Sequence, residues 1–293
     1  MNNESGASGS FGLPHLRLWC FVGFFLFVLV SGCGEGAGEA ESPSTEAVPV
    51  ASFEALYDLS LNRAHSGSGI ESYAGLLTIR WADACEGYTS DQHIAADVWN
   101  VAGGQMYTEF SSSSWEARDQ TVFRFTMTTK LNEEVTREVL GKASRENPSA
   151  DGVIVFSKPR ENKHALGSDV LFPSEYLNRL LEAAQNGDTV FEANMFDGSD
   201  NKIIYNTVSF IGAKGNNNDI EDEVEKYPLL AHMDYWPVQA SYHLVNTKNE
   251  LPEFEISMRM YANGITTDLI LDYGGFALNG KLLKLNEIKG AGC

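Results

Sequence analysis

Apolar and polar residues alternate along many short segments of this chain, and this alternation restricts the fold more than any other feature. In FEISMRMYA, Phe254, Ile256, Met258 and Met260 lie on one side, with polar residues between them. Successive side chains of a strand point to opposite faces, so each such segment predicts a strand with one buried face. Further strands are predicted at residues 54–61, 75–81, 92–101, 104–112, 121–129, 133–142, 152–157, 189–196, 203–212 and 235–246. These strands are numerous enough to form a curled or closed sheet, so the sequence predicts an all-β fold.

Two glycine-containing turns connect strands near the C-terminus. Asn263-Gly264 separates FEISMRMYA from ITTDLILDY, and Gly274-Gly275 precedes FALNGKLLKL. A two-residue Asn-Gly loop has the backbone twist that an antiparallel hairpin needs. The C-terminal segment is therefore predicted to be a meander, and the sheet as a whole to be mostly antiparallel.

One segment has helical rather than strand periodicity. In SEYLNRLLEAAQNG, the apolar residues from Tyr176 to Ala184 fall on one face of a helix. Ser174 is suited to the N-cap position and Gly187 to the C-terminal stop. We expect one amphipathic helix that packs its apolar stripe on the sheet.

The N-terminus predicts export. Residues 18–30 form an apolar run without charge, shorter than the roughly 20 residues of a membrane-spanning helix and typical of a signal-peptide core. The segment that ends it, Val30-Ser31-Gly32-Cys33, resembles the lipobox of bacterial lipoproteins. We therefore predict a signal peptide over residues 1–33, with Cys33 lipidated as the first residue of the mature protein. Ordinary cleavage after a small residue is the alternative.

The residues after the predicted cleavage site indicate a tether. Residues 34–51 are mostly small and acidic and include proline, so they are predicted to be a flexible link to one domain at residues 52–293. Gly34, in the place where aspartate would retain a lipoprotein at the inner membrane, fits sorting to the outer membrane. The predicted location is the periplasm, at the periplasmic face of the outer membrane, with membrane contact through the lipid anchor only.

Four cysteines are present, and export limits their pairing. Cys20 is lost with the signal peptide, and Cys33 is lipidated or lost. Cys85 and Cys293 then remain as a single pair in an oxidising compartment, which predicts a disulfide. Two free thiols are the alternative.

Charge and motifs restrict the function. The formal net charge is −19, and such a surface repels nucleic acid and anionic lipid headgroups. The chain has no GxSxG motif, and SDNK at 199–202 matches SxxK in a polar turn rather than at the start of a helix. His232 and His243 lack the spacing of a typical zinc site. We therefore assign no catalytic residue, no cofactor and no metal.

Six segments, in order along the chain, carry a resemblance to a known family. They are YDLSL (57–61), ACEGYT (84–89), LFPSEYL (171–177), TVFEANMFDGSD (189–200), WPVQASYH (236–243) and ITTDLILDYGGF (265–276). Together they resemble the EipB family of cell-envelope integrity proteins. The resemblance implies a spiral-like, open β-barrel with an interior apolar cavity and a helix near one mouth. It also implies a periplasmic role in envelope integrity without an established catalytic activity. The family's disulfide falls on Cys85 and Cys293.

These arguments converge on a binding protein. We expect a non-enzymatic envelope protein whose barrel binds an apolar ligand: a lipid, a lipoprotein or a peptide segment. Candidate cavity-lining residues are Phe254, Ile256, Met258, Met260, Phe123 and Phe125, because Met and Phe on one face of a closing sheet can leave a cavity. One alternative is a scaffold that contacts envelope proteins through its outer surface. A hydrolase of envelope components is the least favoured.

Overall fold

A computed structural model describes residues 50–199, 204–216, 226–245 and 251–289 of the chain. Several predicted features lie outside these residues: the signal peptide, the lipidation site Cys33, most of the predicted tether, and Cys293. The tail of the SDNK segment and most of the acidic run at 216–226 also lie outside them.

Within these residues the chain folds into sixteen strands and one α-helix. The strands are β1 (Phe53–Ala64), β2 (Ile70–Asp83), β3 (Gly87–Asn100), β4 (Gln105–Ala117), β5 (Val122–Leu131), β6 (Glu134–Arg145), β7 (Gly152–Lys158), β8 (Asn162–Leu166), β9 (Val170–Leu171), β10 (Val190–Met195), β11 (Tyr205–Ile211), β12 (Gly215–Asn216), β13 (Asp234–Leu244), β14 (Phe254–Tyr261), β15 (Thr266–Asp272) and β16 (Phe276–Glu287). The helix, α1, is Pro173–Asn186, and a single 3-10 turn covers Pro228–Leu230.

All the strands belong to one sheet, with the order β8-β7-β6-β5-β4-β3-β2-β1-β16-β15-β14-β13-β11-β10-β9, while β12 pairs with β13 beside this path. Every pairing is antiparallel except that of β9 with β10. The first strand pairs with the last, Phe53 opposite Glu287, in the middle of the sheet. The two outermost strands, β8 and β9, are consecutive in the sequence.

That order forces the sheet to curl. β8 ends at Leu166 and β9 begins at Val170, and four Cα–Cα steps of about 3.8 Å span at most about 15 Å. The two ends of a sheet with fifteen strands along its path therefore lie close together, and the sheet forms a nearly closed barrel. The predicted all-β, mostly antiparallel, barrel-like fold with one helix is confirmed.

The loop between β14 and β15 is longer than the predicted two-residue turn. The Tyr261 N–H donates to the Ile265 carbonyl at 2.9 Å, so three residues, Ala262 to Gly264, form the loop. Gly264 has φ +79°, a left-handed conformation that glycine adopts without strain. This is the three-residue hairpin with a left-handed last residue, and the Asn-Gly pair occupies its final two positions.

The helix begins two residues earlier than its sequence suggests. Phe172 is the N-cap and Pro173 takes the first helical position, so the prediction of Ser174 as N-cap is wrong. Proline is favoured there because the first N–H of a helix has no partner within the helix. At the other end Gly187 has φ +84°, and its N–H donates to the Ala183 and Ala184 carbonyls, as a glycine C-cap does.

The core consists of three apolar clusters. One lies under α1 and includes Leu180, Leu181, Trp236 and Met260. A second lies between the strands of the two chain ends, β1, β2, β15 and β16. The third, the phenylalanine cluster, is formed by Phe123, Phe125, Phe156, Phe172 and Phe196 with smaller apolar neighbours.

Candidate functional site

The barrel encloses a cavity of about 790 Å³. Strands β2, β3 and β4 form one wall, β14, β15 and β16 form another, and the first turns of α1 contribute Tyr176, Leu177 and Leu180. The lining is mostly aliphatic and aromatic. The volume lies within the range of about 300–1,000 Å³ that is usual for small-molecule pockets.

Three of the six predicted lining residues, Phe254, Ile256 and Met258, lie on the cavity wall. They occupy alternate positions of β14, and each is partly exposed. Phe254 also stacks on Tyr242 with the ring centroids 4.2 Å apart. The alternation of the strand places these side chains in the barrel interior.

The other three predicted lining residues are packed in the core, so this part of the expectation is corrected. Met260 is fully buried in the cluster beneath α1. Phe123 and Phe125 belong to the phenylalanine cluster: Phe172 stacks on Phe123 at 5.4 Å, and Phe196 meets Phe125 edge to face at 5.2 Å. The segments before α1 and after β10 thus cover a sheet face that would otherwise line the cavity.

Polar residues on the cavity wall were missed by the sequence reasoning. Ser112 and Ser114 lie on the wall, and so do Ser90 and Gln92 of the neighbouring strand. Strand β4 carries four consecutive serines, 111–114, which alternate between the two faces of the sheet. A run without apolar residues gives no hydrophobic period, so sequence alone could not show that half of its hydroxyls face the interior.

Glu116 connects the cavity wall to the helix. It is 3% exposed, and its carboxylate accepts the N–H groups of Ser174 at 2.7 Å and Glu175 at 3.2 Å. The Glu116 side chain therefore caps the N-terminus of α1, although it belongs to β4, which is distant in the sequence. Burial raises the pKa of Glu116 to about 7, although its hydrogen bonds to the helix N-terminus act in the opposite direction.

A buried ion pair lies beside this contact. Arg145 and Glu175 approach to 3.4 Å, with side chains 1% and 3% exposed. Arg145 also donates to the carbonyls of Gln120, Pro148 and Val170, at 2.9, 3.1 and 3.1 Å. These bonds satisfy the guanidinium, as a buried charge requires, and they join β6 to the segment that leads into α1. Nothing in the local sequence pattern marks the pair.

Comparison with known proteins decides the family. The chain matches the EipB-like family over residues 44–289. The chain belongs to the EipB-like family. A relative from Brucella abortus (strain 2308), named cell envelope integrity protein EipB, is 32% identical over 254 residues, which are 85% of this chain and 88% of the relative.

The EipB-like fold is also present in a solved structure. The crystal structure of a β-barrel-like protein of a domain of unknown function, from Brucella abortus, superposes with a TM-score of 0.75 at 31% identity. The match covers 83% of this chain and 100% of that one. The sequence resemblance to the EipB family is thereby confirmed.

Cys85 lies in the turn between β2 and β3 of this EipB-like domain. It is disulfide-bonded and has φ +65°. Arg118 donates to its carbonyl at 2.9 Å and to the Asp83 carboxylate at 2.6 Å, which holds the turn in place. Cys293 lies outside the described residues, so its pairing with Cys85 stays a prediction.

The part of the EipB-like chain that the structure describes contains no group of three or more His, Cys, Asp or Glu side chains arranged to hold a metal ion. His243 pairs with Asn206 across β13 and β11, and His232 follows the 3-10 turn. In the same residues, no helix has both the length and the apolar character to cross a bilayer.

Proposed function

We propose that this chain is a non-enzymatic cell-envelope integrity protein of the periplasm whose barrel binds an apolar ligand. The ligand class comprises lipids, lipoproteins and apolar peptide segments. The observation that carries the proposal is the cavity of about 790 Å³ with mostly apolar walls. The name of the Brucella abortus relative supports the role in envelope integrity.

The cavity favours binding over a purely structural role for physical reasons. Protein interiors are normally packed as densely as organic crystals, and unfilled apolar volume lowers stability. Here Phe254, Ile256 and Met258 line the cavity and are partly exposed rather than packed in a filled core. An apolar ligand would remove this surface from water, at roughly 25 cal/mol per Å² buried.

A cavity-filling variant tests the proposal. Ser112→Trp places an indole in the cavity, whereas Ser111→Trp, one residue earlier on β4, places the same group on the outer face. We expect the first variant to lose both ligand binding and resistance to envelope stress, and the second to retain both. Native mass spectrometry of protein extracted mildly from the envelope should show a co-purifying small molecule in the wild type and in Ser111→Trp.

Two results would contradict the proposal. One is a wild-type barrel that is empty after mild extraction and that binds no added apolar probe. The other is an unchanged stress phenotype in a folded Ser112→Trp variant. If cross-linking in cells then gave protein adducts, the scaffold alternative would replace binding in the cavity.

A further inference from the structure

A compact group of uncharged polar side chains lies on the cavity wall, where most of the lining residues are apolar. We call Ser90, Gln92, Ser112 and Ser114 the serine–glutamine patch. In the ladder between β3 and β4, Ser90 is opposite Ser114 and Gln92 is opposite Ser112, so the four side chains form a compact square on the cavity wall. Apolar residues continue from it on both strands, beginning with Ile94 opposite Phe110.

The patch has unused hydrogen-bonding capacity. Among the described residues, none of its four side chains bonds to another protein group. By contrast, the outward-facing Ser111 bonds to His93, and Ser113 bonds to Asp91. The serines of one strand thus differ by face: those outside are satisfied within the protein, and those inside are left for a ligand or for water.

A buried donor lies next to the patch. Trp81 is a lining residue, is 8% exposed and is opposite Ser90 in the ladder between β2 and β3. Its indole Nε1–H is buried and has no hydrogen-bond partner in the part of the chain that the structure describes. A buried polar group without a partner destabilises the fold.

The charge of the wall restricts the ligand further. The lining residues within the described ranges include no Lys, Arg or His, and they include Glu116, Asp197 and Glu255. Glu116 lies two residues beyond Ser114 on β4, on the same face. A ligand carboxylate or phosphate at the patch would therefore meet neutral dipoles and a neighbouring acid, with no cation to compensate its lost hydration.

We propose that the cavity selects amphiphiles whose polar group is uncharged, such as an acyl amide or an acyl ester, and discriminates against carboxylates and phosphates. This inference rests on the proposed ligand-binding function and specifies its ligand class. Serine hydroxyls and a glutamine amide both donate and accept hydrogen bonds, so they match a carbonyl, an N–H or a hydroxyl of the ligand. The chain of the amphiphile lies along the apolar wall formed by residues such as Ile94 and Phe110.

Desolvation decides between the two ligand classes. An amide or ester that leaves water regains its hydrogen bonds at the patch, so its transfer is nearly compensated. An ionised carboxylate needs a paired charge when it is buried, and without one it binds weakly or takes up a proton. The discrimination is therefore expected to be at least about tenfold in Kd, which is a free-energy difference of about 1.4 kcal/mol.

Displacement of the neutral fluorescent probe N-phenyl-1-naphthylamine measures this selectivity. The competitors are dodecanoic acid, monododecanoylglycerol and N-(2-hydroxyethyl)dodecanamide, which share one acyl chain, below their aggregation concentrations. Measurement at about pH 8 keeps the acid ionised. About 0.5 M salt shortens the Debye length to about 4 Å, so the net charge of the outer surface contributes little. We expect the two uncharged competitors to displace the probe at least tenfold more effectively than the acid.

Two double variants separate the patch from general apolar binding. Ser112→Ala with Ser114→Ala removes the inward hydroxyls, and Ser111→Ala with Ser113→Ala removes the outward ones. We expect the inward pair to weaken amide binding by about fivefold to tenfold, as loss of one or two neutral hydrogen bonds does. The outward pair should leave amide binding unchanged, and neither pair should alter binding of the fluorescent probe.

The outcomes distinguish the two proposals. Failure of the wild type to bind the fluorescent probe or any competitor overturns ligand binding itself. Binding of the probe with equal or tighter binding of dodecanoic acid overturns only the selectivity for uncharged polar groups. Equal losses in the inward and outward double variants also overturn the role of the patch.

Discussion

Replacement of Glu116 by glutamine is expected to remove a pH-dependent loss of stability. Burial raises the pKa of Glu116 from 4.5 to about 7 in the folded protein. Below the pKa that Glu116 has in the unfolded chain, its carboxyl is protonated in both the folded and the unfolded protein, and the stabilising effect of the neutral form is fully present. As the pH rises through the folded pKa, the unfolded chain has already released its proton and the folded chain must release one, so stability falls.

The size of the effect follows from the shift in pKa. A change from 4.5 to about 7 corresponds to about 3 kcal/mol, at about 1.36 kcal/mol per pKa unit. The free energy of unfolding of the wild type, relative to that of Glu116→Gln, should therefore decrease by about 3 kcal/mol between about pH 4.5 and pH 8. For a domain of this size, that is a relative decrease in Tm of roughly 6–12 °C.

Urea denaturation of both proteins across this pH range measures the difference directly. Subtracting the two curves cancels the titration of every other group, provided that the substitution acts locally. Glu109→Gln is the matched control, since Glu109 is a carboxyl on the same strand that is 23% exposed and paired with Lys130. Lys130 lowers the pKa of Glu109, so that control should show a smaller effect of opposite sign.

One result would refute the reasoning about burial. If wild type gained stability relative to Glu116→Gln as the pH rose, the two hydrogen bonds from the α1 N-terminus would outweigh desolvation, and the carboxylate would be the preferred form. If the difference in unfolding free energy between wild type and Glu116→Gln did not depend on pH, the pKa of Glu116 would be the same in the folded and unfolded protein.

Three further predictions concern covalent and ionic links. Cys85→Ser and Cys293→Ser should each lower the free energy of unfolding under oxidising conditions, by at most about 5 kcal/mol for a loop of this length, and the double variant should be no worse than either; additive losses would separate the two sulfurs. Metabolic labelling with a clickable fatty acid should disappear in Cys33→Ala, and label that persists would refute lipidation at that site. Arg145→Ala should lower the free energy of unfolding in urea denaturation by up to about 3–5 kcal/mol, because the buried Glu175 then keeps only Arg179, which is 54% exposed, as its ionic partner. Lys158→Ala, which removes an exposed pair with Glu138, should cost less than about 1 kcal/mol, and equal costs would contradict the role of burial.

The strands and the helix were predictable because their signals are local. Alternation along Phe254, Ile256 and Met258 indicates one buried face whatever lies opposite, and the stripe on α1 identifies its packed side. The N-cap was not predictable, since the carboxylate that caps the helix belongs to Glu116, on β4. The choice between Phe172 and Ser174 as N-cap depends on that distant contact and on Pro173.

The sequence could predict that the barrel has an apolar cavity, but it could not predict which residues line it. Phe123 and Phe125 have the same alternation as the β14 residues, yet Phe172 and Phe196 cover them. Which stretch of a curled sheet is covered depends on segments far away in the sequence, and a periodic pattern contains no information about them. The serine–glutamine patch was invisible for a different reason: a polar strand face shows its role only when the opposite wall is known.

The pairing of β1 with β16 has a consequence for folding while the chain is being made. β1, the first strand of the domain to be synthesised, finds its second neighbour only when the final strand is complete, with Phe53 opposite Glu287. Until then β1 has one open edge, a template on which other extended chains can assemble. Newly made molecules should therefore be most prone to aggregation just before the final strand is complete, and a chaperone that shields open strands would matter most in that interval.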